Sequence, residues 1–154
     1  MPVETPNKLI EFEDIQNKDS YVQCITIQGT SAATSTNYGY VLTSKSIAYE
    51  IIAVGEKHET AGTNAGAVTL DVVKVPDGTA ISSGATILAT TFNLKSTANT
   101  WVLKQGTNLS TARFIRIIQA GESIALKTTG TLTDVAGVHV CIFFKPVNNG
   151  SYRG

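Results

Sequence analysis

The chain has 154 residues, enough for one domain with a substantial core. Twelve basic and twelve acidic side chains cancel, and only 16% of residues are charged, which excludes the clustered Lys and Arg footprint of a nucleic-acid binder. Thr is the commonest residue, and Gly, Ala, Ser, Val and Ile follow, a palette suited to strands and tight turns because β-branched side chains pack well on a pleated surface.

Residues 1–20 mix acids, Pro2, Pro6 and a few apolar side chains, without the basic segment and apolar run of a secretory leader. They read as an extended N-terminal arm with one short amphipathic turn at Leu9, Ile10, Phe12 and Ile15. Those four apolar groups either pack on this domain or dock on a neighbouring subunit; a frayed terminus is the competing reading. Strands are expected at 21–28, 39–43 and 46–57, the last with some helical character from Ala48, Tyr49, Ile52 and Ala53. A turn-rich connection at 58–66 leads into the clearest strand of the chain. There Val68, Leu70 and Val72 alternate with Thr69, Asp71 and Val73, the period of two of a half-buried strand. Pro76, Asp77 and Gly78 stop it, by a missing donor and a residue tolerant of positive φ.

Residues 80–91 are harder to read; Ser82 or Ser83 is expected to cap a short helix carrying Ile87 and Leu88. Further strands are expected at 92–94, 99–109, 123–128 and 138–145, with a short apolar run at 113–118 and a tight turn at 119–122. Trp101 alternates with Leu103 and is placed in the core. Eight or nine short strands at this spacing mean an all-β sandwich or barrel, and the lack of alternating long helices excludes a parallel α/β fold. No apolar stretch approaches the length that spans a bilayer.

The runs GAVTLDVVKVPDGTAISSGATIL, FNLKSTANT and AGESIALKTTGTLTDVAGVHVCIFFK, in that order, resemble small structural proteins of tailed bacteriophages. These are head decoration and fibre-associated proteins built on jelly-roll-like sandwiches, and the resemblance covers residues 48–145. It implies a single antiparallel β-sandwich, jelly-roll-like, expected over residues 21–146; the arm at 1–20 and a polar, Gly-rich tail at 147–154 lie outside the resemblance and are read from the residues alone. It further implies a non-enzymatic capsid decoration or cement protein, located in the virion on the capsid surface or a fibre. Its partners would be the phage major capsid protein or other virion proteins. A homo-oligomer, with a trimer as the expected state, goes with that reading; no cofactor, nucleic acid or membrane does. The alternative is a receptor- or glycan-binding head domain of a phage tail or capsid fibre, for which Tyr38, Tyr40, Tyr49, Trp101 and Tyr152 would have to cluster at a loop end.

No catalytic constellation stands out. His139 lies in a strand beside Val138 and Val140 and reads as a sheet residue, and His58 sits among Glu56, Lys57 and Glu59 at a loop edge; no metal ligands are assigned. Asp71, Asp77, Glu122 and Asp134 flank turns, and a hydrolase would need two of them close together in a cleft. There is no nucleophile elbow, phosphate-binding loop or dinucleotide glycine pattern. Lys104, Arg113 and Arg116 are too few to claim nucleic-acid binding. Cys24 and Cys141 each lie in an apolar strand and are expected as buried free thiols rather than a disulfide.

Overall fold

A computed structural model of the chain describes residues 21–27 and 39–147. Among them run ten strands: β1 (Tyr21–Ile27), β2 (Gly39–Thr43), β3 (Tyr49–Lys57), β4 (Thr69–Val75), β5 (Ala85–Thr86), β6 (Phe92–Asn93), β7 (Val102–Gln105), β8 (Ile117–Ile118), β9 (Ser123–Thr129) and β10 (Val138–Pro146). One helical turn, α1 (Arg113–Arg116), and two 3-10 turns lie between them. No helix among the described residues is long and apolar enough to cross a membrane.

The strands form two sheets. One has the order β1-β10-β3-β7, with β8 also on β3; the other has β2-β9-β4-β5, with β6 also on β4. Every pairing is antiparallel and the outer pairs enclose the inner ones: β1 with β10, β2 with β9, β3 with β7 and β8, β4 with β5 and β6. Strands β1 to β4 alternate between the sheets. The chain is thus a long two-stranded ribbon rolled until its halves face each other, the jelly-roll solution to burying one face of each sheet.

The alternating residues of β4 show how sequence selects the faces. Leu70 and Val72 point inward and join Ile51, Val54, Phe92, Leu94, Ile118, Ile124, Leu126, Val140 and Ile142 in the main core. Val73 and Val75 point to the other side of the sheet, yet they too are buried, in a second small core with Ala125 under Ile81. The 3-10 turn Ile81–Ser83 therefore acts as a lid on the outer face of β4. Ser82 and Ser83 lie inside that turn and cap no helix; Ile87 and Leu88, after β5, are buried in extended backbone.

In β3 the register slips so that Phe143 faces Ala53 while Phe144 faces Ile51, leaving Ile52 as the extra residue of a bulge. The bulge lets Ile51 and Val54, three residues apart, both point into the core, which is the source of the helix-like spacing in this strand. At the end of β9, Gly130 has φ +94°, and a Cβ there would overlap the Ala67 carbonyl, so glycine alone lets the chain leave the sheet beside β4.

Two further expectations are corrected. Cys24 and Cys141 sit directly opposite each other on β1 and β10 and form a disulfide. Their side chains fall on the outward side of the sheet, so the strands' apolar character did not mean burial of both thiols; Cys24 is exposed. Trp101 is 43% exposed and lies outside the core. It does share a face with Leu103, but β7 turns Val102 inward against Glu56 and leaves the other face outward.

Candidate interaction surface

The outer face of the first sheet is built from three cross-strand rows. Register aligns Val22, Phe143, Ala53 and Gln105; then Cys24, Cys141, Gly55 and Leu103; then Thr26, His139 and Lys57. Most of these are apolar or small, and Val22 and Leu103 are exposed. The Trp101 ring packs against Gly55, where a Cβ would overlap it, so the absent side chain makes the seat for the indole. Such a face carries little charge to hold water or repel a neighbour.

A groove of about 400 Å³ opens at the end of the sandwich where β1 begins, lined by Tyr21, Leu42, Thr43, Lys45, Ser46, Tyr49 and Phe144. Its floor is aromatic: the Phe144 ring stacks on Tyr21 at 5.9 Å and meets Tyr49 edge-on at 5.1 Å. β1 and β2 form the edges of their sheets on this side, and no further strand pairs with either among the described residues. An exposed edge offers unpaired N–H and C=O groups to an incoming chain. The expected contact residues Leu9, Ile10, Phe12 and Ile15 lie outside the described residues, as do Tyr38 and Tyr152. Tyr40 is exposed on β2 of one sheet, Tyr49 lines the groove from β3, and Trp101 precedes β7 of the other sheet.

Of the charged residues singled out in the sequence, all but Asp77 are engaged locally. Asp71 accepts from the Val72 amide at 2.8 Å and the Thr86 hydroxyl at 2.6 Å; partial burial raises its carboxyl above the usual range against these donors. Glu122 accepts from the Gln119 amide and pairs with Lys74, whose ammonium also donates to the Phe114 and Ile117 carbonyls. Asp134 accepts from Thr63 and Asn64, and Asp77 lies exposed in its turn. Arg113 and Arg116 both grip Glu50, whereas Lys104 donates to Thr90 and sits 5.1 Å over the Phe92 ring; the three make no joint basic patch.

Two polar clusters were not legible in the sequence. Glu56 points inward from β3 and is buried, with His58 buried beside it at the strand's end rather than at an open loop edge. The Ser96 carbonyl accepts at 3.1 Å, so His58 Nε2 carries a proton, and a single proton lies between Nδ1 and Glu56 Oε1 at 2.9 Å. Burial pushes the Glu56 carboxyl up, and His58 offsets this in part. Among the described residues Glu56 Oε2 has no partner, and Glu56 lines a cleft of about 220 Å³ with Phe92, Asn93, Val102 and Lys104. The second cluster is on the outer face, where Cys24, His139 and Cys141 place their ligand atoms within 4.8 Å of one another.

The nested antiparallel pairing places the chain among jelly rolls, an architecture found in capsid and lectin domains. No protein-family model and no curated protein matches the sequence. In structure the chain is similar to one from the capsid of Ralstonia phage GP4, with a TM-score of 0.55 and 13% identity, over 84% of this chain and 86% of that one. It is also similar, more loosely, to a chain of the cyanophage Pam1 capsid asymmetric unit, with a TM-score of 0.48 and 16% identity over 82% of each. At such identities the likeness to the first is one of fold.

Proposed function

We propose that this chain is a non-enzymatic structural protein of a phage virion, one that decorates or cements the head and attaches through its N-terminal arm, residues 1–20. The observation that carries the reading is the fold likeness to a phage capsid chain over 84% of the sequence. The residues quoted above as resembling phage decoration proteins fall within that fold. The engagement of Asp71, Glu122 and Asp134 by neighbouring donors speaks for structural carboxylates.

The arm enters the domain at Tyr21, beside the aromatic groove and the free edges of β1 and β2. Leu9, Ile10, Phe12 and Ile15 are the apolar side chains such a groove or edge on a neighbouring virion subunit would receive. Main-chain pairing at a sheet edge supplies affinity, and repetition over many copies on a shell turns a weak contact into lasting attachment. A homotrimer is the expected form, to be read by sedimentation of the purified protein.

The test is binding of the full chain and of a form lacking residues 1–20 to purified shells. The shortened protein is expected to keep its sheet signature and lose binding, and unchanged binding would remove the arm from the mechanism. High-resolution imaging of particles is expected to place the domain on the shell; its absence from mature particles would end the virion reading.

A further inference from the structure

We propose that Cys24, Cys141 and His139 form, once the disulfide is reduced, a binding site for a thiophilic d10 cation of the zinc type. The site stands on strand geometry alone and is independent of the virion reading. Cys141 and His139 are two apart on β10 and share its outer face, and Cys24 is the direct cross-strand partner of Cys141. Their three ligand atoms already lie within 4.8 Å of one another. His139 Nε2 stands 3.3 Å from Cys141 Sγ. A tetrahedral zinc with Zn–N of about 2.0–2.1 Å and Zn–S of about 2.3 Å separates adjacent N and S ligands by about 3.5 Å. The imidazole is therefore nearly in place before any metal arrives.

Its orientation is fixed from behind. Thr26, opposite His139 on β1, holds Nδ1 through its hydroxyl at 2.6 Å. With Nδ1–H donating to Thr26 Oγ1, the lone pair of Nε2 points toward the sulfurs, the arrangement by which an outer partner sets the tautomer of a ligating histidine. Two thiolates and an imidazole suit a borderline-soft cation, and the two sulfur charges balance a divalent ion despite the neighbouring Lys57. The exposure of Cys24 leaves a fourth position for water or a partner's side chain.

The redox step is ordinary exchange. Two equivalents of a small thiol break the Cys24–Cys141 bond; the two sulfurs gain two electrons and two protons, and the donor thiols leave as their own disulfide. Metal binding then releases the two cysteine protons to solvent. The same residues thus serve as a cross-strand bond in an oxidising medium and as a metal site in a reducing one.

Cobalt(II) is the probe, added to the full chain after anaerobic reduction with a trialkylphosphine, with sheet content followed by circular dichroism. One equivalent is expected to give a thiolate-to-cobalt charge-transfer band and the visible bands of tetrahedral cobalt, lost on adding zinc and absent from the oxidised protein. His139→Ala should weaken binding by at least roughly tenfold, and Thr26→Val, which removes only the outer partner, by roughly tenfold. Cys24→Ser should lose most of the charge-transfer intensity. A reduced, folded chain that takes up no cobalt overturns the proposal, as does a His139→Ala variant that binds as tightly as the parent. Loss of the sheet signal on reduction that the metal does not restore overturns it as well.

Discussion

Trp101 rests on bare backbone, and its neighbour Gly55 has no room for even one methyl group. Gly55→Ala is expected to lift the indole off the sheet, moving its fluorescence toward that of solvated tryptophan and lowering stability by about 1–3 kcal/mol, as overpacking does. Emission spectra and denaturant melts check both parts. Inside the sandwich, burial makes Glu56 a weaker acid than usual in the folded chain. The folded protein then holds that proton while the unfolded chain has already released it, so stability falls as pH rises above the ordinary carboxylate value and levels off once the folded group has ionised. Asp71, raised by the same cause, adds to the slope. Glu56→Gln should flatten the dependence of melting temperature on pH, and an unchanged slope would assign it elsewhere. Of these residues the sequence revealed only part. The pairing of Trp101 with Leu103 on one face follows from alternation, but which face meets the core depends on Val102 finding Glu56 across the sheet. The burial of His58 depends in the same way on Ser96, thirty-eight residues on.

Among the elements, β1 depends most on a single bond. It is an edge strand of largely exposed residues, tied to β10 by backbone pairing and by the disulfide. Replacing both Cys24 and Cys141 by serine is expected to cost about 2–5 kcal/mol, because the link closes a very long loop in the unfolded chain. Amide exchange should then rise first in β1 while β3 and β9 stay protected; uniform exchange would mean that the bond holds the whole sandwich and not its edge. The long strands β4, β9 and β10 were readable because each has a run of alternating or continuous apolar residues long enough to carry a period. β5 and β8, at two residues each, carry none, whereas β6 falls within the strand expected at 92–94. The bulge in β3 blurred strand into helix because an inserted residue resets the alternation. The disulfide was hidden for a different reason: 117 residues separate the cysteines, and only the strand pairing brings them opposite each other.

At the scale of the whole molecule, the fold class followed from many short strands, since every reading with parallel strands needed alternating long helices that the sequence pattern does not offer. The order of the strands did not, because ladders between distant segments leave no local mark. That order has a consequence for how the protein is made. β10 lies between β1 and β3, so the first sheet has a vacant centre until the residues from Val138 onward are delivered. Chains cut before Val138 should expose the partner edges of β1 and β3 and aggregate, and cuts after Pro146 should leave the sandwich intact, as solubility and proteolysis of nested truncations will show. During translation β1 stays without a partner in its sheet until β10 emerges from the ribosome, so the first strand made among the described residues must wait for the last before the sandwich can close.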